Sequence, residues 1–372
     1  MNTAAKPYEP AAVKEALCKH FNMFGDRSHL TTHEKHFLGL GGHEIHYYCF
    51  TLKDSKLNHR AFGKVNENNE REYRALQYLM KAIPEEQRHI GSPIALLRHG
   101  SRSVLLLEYL EGYSNPFAML NLWRLFPNRV LKITGIGRHM LDKIYGLQKH
   151  FQTVYSPVSL EDTNSTPGQP RPIGVFKQIE SVTSISIEAK RALYARLNAI
   201  LQNQIMVRRG VVHGALGMRN IMMSRSNISF IDWEYMQYEG LCIYDPCYIA
   251  TMLLMKGVRL FIPRSKLDIM CDSLFKHIED LENQLTQTKG ETSVHDGLWF
   301  GKCLAMIDTL WQYERTEGSR LKASLAQERR QISYLAYRIE KDAKSRENRN
   351  DPTWLSSLAD NDVPRAEYPV GN

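Results

Sequence analysis

Gly112 divides this 372-residue sequence into two textures. Ahead of it, from Phe37, the segment HFLGLGGHEIHYYCFTLK mixes aromatic and β-branched residues around glycines, which predicts two strands joined at that turn. HRAFGKV predicts a short third strand. NEREYRALQYLMKAI sets Tyr73, Leu76, Leu79 and Met80 on one helical face and is stopped by Pro84. SPIALLRHGSRSVLLLEYLEG supplies two more strands around the polar turn RHGSR. This order specifies a small antiparallel sheet with one helix. Residues 8–21 predict a further helix in front of it. Beyond Gly112 the pattern turns helical, as in NRVLKITGIGRHMLDKIYGLQKHF (one helix or two) and SIEAKRALYARLNAILQNQIM. The TGIG within the first is read as packing rather than a phosphate cradle, and SPVSLEDTNSTPGQPRPIG as a surface loop. The expected fold is α+β with two lobes. Residues 1–112 form a β-rich lobe with an N-terminal helical extension, Glu108–Gly112 a hinge, and residues 113–372 a larger helical lobe.

Composition adds exclusions. With 43% hydrophobic and 24% charged residues the chain can bury a sizeable core. Its longest apolar runs, SVLLLEYL and YIATMLLM, fall short of the roughly 20 residues a membrane-spanning helix needs. MNTAAKPYEPAAVKEALCKHF lacks the basic-then-apolar signature of a secretory signal, so a cytoplasmic location is expected. Cys18, Cys49, Cys242, Cys247, Cys271 and Cys303 contain no C-x-x-C pair and read as free thiols. The formal charge of +8 favours anionic partners. Leu321, Leu325, Ile332, Leu335 and Ile339 trace a stripe through the most basic segment, which therefore reads as a packed amphipathic helix and not as a nucleic-acid arm.

The chemistry concentrates between Val211 and Glu234, VVHGALGMRNIMMSRSNISFIDWE. Asn220 brings an amide oxygen to the end of a short loop. Twelve positions later Asp232 follows the apolar strand ISFI, so its carboxylate is delivered beside Asn220 at the junction of the lobes. Hard Mg²⁺ takes such oxygen ligands and keeps part of its water. Phosphoryl transfer asks for little else: a lysine on the phosphates and a carboxylate that takes the acceptor's proton, because the transition state is loose and its charge lies on oxygens.

The stretch HGALGMRNIMM…ISFIDWE resembles the catalytic and metal-binding segments of the aminoglycoside phosphotransferase and choline-kinase-like family, relatives of protein kinases. That family reads H-G-D-L-x-x-x-N-I and then I-D-W or I-D-F, matched here by His213, Gly214, Leu216, Asn220, Ile221, Ile231, Asp232 and Trp233. Further pieces of the pattern follow in order between about residues 36 and 255. LGLGGHEIHYY looks like the glycine turn over nucleotide phosphates, with Gly41 and Gly42 permitting close approach. Lys64 looks like the phosphate-contacting lysine, and Glu72 its partner; with seven residues between them, the link from strand to helix must be short. Backbone groups of Glu108, Tyr109 and Leu110 would recognise adenine. YDPCYIATML resembles the downstream D-P-x-Y-D-L-A segment, with Asp245 retained as a brace or helix cap and Ile249 in the place of its second aspartate. The resemblance implies a protein-kinase-like fold, ATP or GTP as nucleotide, Mg²⁺ on Asn220 and Asp232, and a structural role for His213.

One position departs from the pattern. Ala215 stands where the family has its catalytic aspartate, and a methyl group cannot take a proton. General-base assistance is worth about 10²–10⁴ in rate, so such a chain keeps nucleotide and Mg²⁺ binding and turns over slowly. Three readings stay open: a phosphotransferase acting on a small-molecule hydroxyl whose base has been removed, a natural pseudokinase that binds nucleotide and regulates or scaffolds a partner, or an enzyme in which Asp245 or another nearby acid replaces the base. The basic balance suits a neutral or anionic acceptor, such as a sugar, nucleoside or glycolipid headgroup, better than a polycation.

Overall fold

The computed structural model describes residues 8–23, 28–38, 44–53, 58–66, 68–84, 90–100, 102–116, 128–164, 174–224, 227–286, 294–316 and 322–344. Its first half is a five-stranded antiparallel sheet built from β1 (His29–Leu38), β2 (Glu44–Lys53), β3 (Asn58–Val65), β4 (Pro93–His99) and β5 (Arg102–Glu108), in the order β1-β2-β3-β5-β4. Strand β1 starts eight residues before Phe37, where the sequence texture places it. The reason is its edge position: its described side chains are mostly exposed, and an edge strand that buries little carries polar residues without a legible apolar period.

Each face of the sheet has its own cover. Helix α1 (Pro10–His20) lays Val13, Leu17 and Cys18 against Tyr48, Phe50, Leu52, Ala61, Val104 and Leu106. Helix α2 (Asn69–Ala82) packs on the opposite face, where Leu105 and Leu107 join Ala75, Leu76 and Leu79. That second cluster continues without a break into the core of the helical half. Strand alternation thus decides which residues of β2, β3 and β5 look toward the other lobe.

The helical half contains α3 (Arg129–Gln148), α4 (Leu160–Asn164), α5 (Val175–Ser181), α6 (Ile187–Gln202), α7 (Tyr244–Arg259), α8 (Arg264–Thr286), α9 (Val294–Thr316) and α10 (Lys322–Lys344). Helix α6 is capped by Ser186, whose hydroxyl accepts the Ala189 amide at 3.3 Å. Helix α7 is buried on nearly every side, packed by α3, α8, α9 and α10. The segment 129–148 is one continuous helix. Its TGIG carries Gly137 into close contact with two neighbours: an added Cβ would lie 2.7 Å from Leu253 and 2.8 Å from Leu274. Along α10, Ile332, Leu335 and Ile339 are buried, while Leu321 and the side chain of Leu325 lie outside the described residues.

Two features depart from the sequence reading. SPVSLEDTN is not plain loop: its Ser156 and Pro157 belong to β6 (Val154–Pro157), and α4 follows. Strand β6 exists because β7 (Met206–Val212) pairs with it from one side and β10 (Gln237–Leu241) covers the other edge of β7. That three-stranded sheet is absent from the sequence expectation, since its partners are far apart in the chain. All six cysteines are free, as expected.

Candidate active site

Strand β7 ends at Val212, and the next residues form the loop that the sequence singles out. Gly214 adopts φ +81°, left-handed backbone that glycine enters without a Cβ clash. A short 3₁₀ turn, Met218–Asn220, leads into the hairpin β8 (Ile221–Met223) and β9 (Ile228–Phe230). Ile221 pairs with Phe230, and the Ile231 amide donates to the Asn220 carbonyl at 3.0 Å. Asn220 and Asp232 therefore flank the open end of one two-stranded ladder. The Asn220 side-chain nitrogen donates to the Ala215 carbonyl at 2.9 Å, which commits the amide's nitrogen and leaves its oxygen as the atom available to a cation.

His213 and Asp245 hold this loop from below. Burial pushes the His213 imidazole down to about 4, so the ring is neutral. Its Nδ1 accepts the Ala215 amide at 3.3 Å, which assigns the proton to Nε2, 2.9 Å from the Ile231 carbonyl. The ring also packs on Trp233, with centroids 4.5 Å apart. Asp245, in the first turn of α7, is buried and accepts the His213 amide at 2.6 Å and the Gly214 amide at 3.1 Å. Burial raises its carboxyl to about 6 against the pull of those two amides. Both Asp245 oxygens are thus engaged with backbone amides of the loop that carries Ala215. Ile249, one turn further, is buried in the core.

Lys64 meets this assembly from the sheet. Its ammonium donates to Glu72 at 2.8 Å, to Asp232 in a shorter contact, and to Glu234 at 3.2 Å. The short link from β3 to α2 is fixed by Asn69, whose side-chain nitrogen lies 2.8 Å from both the Lys64 and the Ser103 carbonyls. The second oxygen of Glu72 accepts the Trp233 amide at 3.3 Å, tying α2 to the turn after Asp232. Lys64 and Glu72 are 3% and 1% exposed. Burial opposes the lysine's charge, but Glu72, Asp232 and Glu234 together hold it well above the ordinary lysine range.

One ammonium serves three acids, and burial raises the carboxyls of Glu72 and Glu234 while Lys64 pulls both down. Glu72, Asp232 and Glu234 can each bring an oxygen within 4.8 Å of the others. These three carboxylates form an all-oxygen donor set whose chemistry fits Mg²⁺; Asn220 stands one ladder pair away, at the end of the β8–β9 hairpin. Asp232 sits at φ +70°, uncommon for a residue with a side chain and sustained here by the contacts on either side of it. Glu234, also held by the Asn66 side-chain nitrogen at 2.5 Å, was not picked out from the sequence. The signal was present as a second acid two positions after Asp232.

The hinge is partly committed to the fold. The Glu108 amide donates to the Ser92 carbonyl at 2.9 Å, and the Leu110 carbonyl accepts the Tyr113 amide at 3.3 Å across the turn at Gly112. The Glu108 carboxylate pairs with His20 of α1 at 2.9 Å. The Tyr109 ring lies under Arg60, 4.5 Å from its guanidinium carbon. Gly41 and Gly42 lie outside the described residues.

No protein-family model matches the chain, and no curated protein sequence matches it. Among solved structures, it is similar to a candidate fructosamine-3-kinase from Haemophilus somnus 129PT, at 12% identity and a TM-score of 0.45 over 88% of this chain and 96% of that one. It is also similar to a thermostable mutant of aminoglycoside phosphotransferase APH(4)-Ia, at 14% identity and a TM-score of 0.44 over 89% and 98%. A third likeness is to choline kinase LicA from Streptococcus pneumoniae, at 12% identity and a TM-score of 0.38 over 88% and 98%. Likenesses of this degree decide nothing about chemistry, which rests on the contacts around Lys64.

Proposed function

We propose that the chain is an ATP- and Mg²⁺-dependent phosphotransferase in architecture, directed at a hydroxyl of a small molecule, with its proton-accepting group missing at Ala215. In this reading residues 1–112 hold the nucleotide and residues 113–372 the acceptor. The observation that carries it is the Lys64 cluster: a buried ammonium bound at once to Glu72 on α2 and to Asp232, with the residue before Asp232 tied by its amide to the Asn220 carbonyl. A structural ion pair needs one carboxylate. This lysine has three, and a divalent cation among them would offset the acid that the lysine leaves unpaired.

The division of work follows from the side chains. Lys64 orients phosphate oxygens, and Glu72 fixes Lys64. Asn220 and Asp232 would hold Mg²⁺, with Glu234 alongside. When bound, the ion would neutralise charge on the transferring phosphoryl group. Phe62, two residues before Lys64 on the same strand face, offers an aromatic surface to the base, and the main chain at Tyr109 and Leu110 lies at the edge of that space. His213 and Asp245 keep the loop in place without touching a substrate. Ala215 offers the acceptor hydroxyl a methyl group and nothing that takes its proton.

The acceptor is an anionic or neutral molecule rather than a polycation. Lys256 on α7 is pushed down to about 8 by burial, with the charges of Arg259 and Arg219 adding to the shift. Arg219 directly precedes Asn220, so a positive field lies next to the loop. The test is Ala215→Asp, assayed for ATP turnover against sugars, nucleosides, amino alcohols and antibiotics. Acceptor-dependent turnover should rise about 10²–10⁴-fold over the present chain. If the aspartate form binds Mg·ATP and stays inert with every acceptor, the phosphotransferase reading fails.

The second reading, a pseudokinase that binds nucleotide and works through a partner, is favoured by Asp245: both its oxygens are spent on backbone, so it does not replace the lost base. Under that reading ATP stabilises the chain, and Ala215→Asp adds no turnover.

A further inference from the structure

The sheet face that carries Lys64 also carries Tyr47, a polar group that the mechanism above leaves unused. Tyr47 in β2 is the direct cross-strand partner of Lys64 in β3. Partners in an antiparallel pair share a sheet face, with Cβ atoms roughly 5 Å apart. The face is settled by their neighbours: Tyr48, Phe50 and Ala61 are buried under α1, so Tyr47, Phe62 and Lys64 point the other way, toward Asp232. The Tyr47 ring is half-buried and rests on Phe62, with centroids 5.0 Å apart. This contact aligns it along that face rather than out to solvent.

We infer that Tyr47 is a positioning and specificity residue for the nucleotide's phosphate tail, its phenol donating a hydrogen bond to a phosphate oxygen held by Lys64. The inference rests on the nucleotide reading of the Lys64 cluster and adds to it a contact that distinguishes a phosphorylated ligand from a bare nucleoside. The chemistry suits the place. Burial raises the phenol to about 12, with Lys64 pulling it down and Asp232, Glu72 and Glu234 pushing it up. It therefore stays protonated through the physiological range, a donor that brings no charge of its own. Beside three carboxylates, a neutral donor adds to the grip on a phosphate without a further cation for those acids to capture. Phe62, next to it, has only a ring face to offer. Base and tail would thus meet different side chains of one sheet face.

The test is Tyr47→Phe, which keeps the ring on Phe62 and removes only the hydroxyl. Calorimetry compares Mg·ADP and adenosine on both proteins, with the melting temperature without ligand as a check on packing. The variant should bind Mg·ADP about five- to tenfold more weakly, the worth of one hydrogen bond, while adenosine affinity and the ligand-free melting temperature stay within error. Equal Mg·ADP affinity in the two proteins would overturn the assignment. A matched loss for adenosine would do the same, since it marks a packing role. If the unaltered chain binds neither ligand, the nucleotide reading falls as well. Adenosine and Mg·ADP affinities that are both unchanged in the variant would overturn this inference alone.

Discussion

At the scale of single residues, Lys64 is the point where the two halves of the molecule meet. Its carboxylate partners belong to α2 and to the turn after β9, so the pairing forms only when sheet and loop are both in place. Lys64→Met removes the cation and leaves buried acids facing one another. Loss of one member of a buried charge cluster costs about 3–5 kcal/mol, and a melt in urea should register a loss of that order. Adding Glu72→Gln should recover part of it, because a neutral amide no longer repels Asp232 and Glu234. A double variant no more stable than Lys64→Met would mean that charge repulsion is not the cause. Nucleotide binding should be lost in both variants.

At the scale of elements, the loop after β7 is set by a histidine and an aspartate whose protonation works in opposite directions. His213 is pushed down from 6.5 to about 4. The unfolded chain takes up that proton first, so its contribution to stability is in place above pH 6.5 and is lost as pH falls to 4. Asp245 is raised from 3.8 to about 6. Here the folded chain keeps the proton longer, so stability is favoured below pH 3.8 and lost as pH rises to 6. At about 1.4 kcal/mol per unit each effect is about 3 kcal/mol, and between pH 4 and 6 the two nearly cancel. His213→Gln keeps a hydrogen-bonding side chain and removes one side of the balance. Relative to the unaltered chain, its stability should fall as pH rises from 4 to 6. Melting curves across that range decide it, and overlapping profiles would refute the pairing.

For the whole molecule, the consequence is coupling between lobes. The core under α2 runs continuously into the helical half, while the core under α1 stays on the far side of the sheet. A ligand bridging Lys64 and Asp232 should therefore stabilise the chain as one unit. At a hundred times its dissociation constant, Mg·ATP would add about 2.7 kcal/mol. Asp232→Asn should abolish the magnesium-dependent part of the thermal shift and leave a smaller response to ATP alone. An unchanged magnesium response would move the metal away from Asp232. No described helix is long and apolar enough to cross a membrane.

The sequence by itself determined the order of the first five strands and α2, because their periods and turn residues are local and act within a few positions of the chain. It also marked Asn220 and Asp232 by type and spacing, and Lys64 and Glu72 through the family resemblance of their segments. Only the tertiary structure decided what those residues touch. Glu234 joins Lys64 across 170 positions, Tyr47 faces the cluster only because strand parity turns Tyr48 the other way, and Asp245 spends both oxygens on backbone. Strand β6 depends on β7 in the same manner. Local pattern fixes which way a chain bends and which residues it can bury. Contacts between distant segments follow from how the buried faces pack, and a single sequence carries no local mark of that.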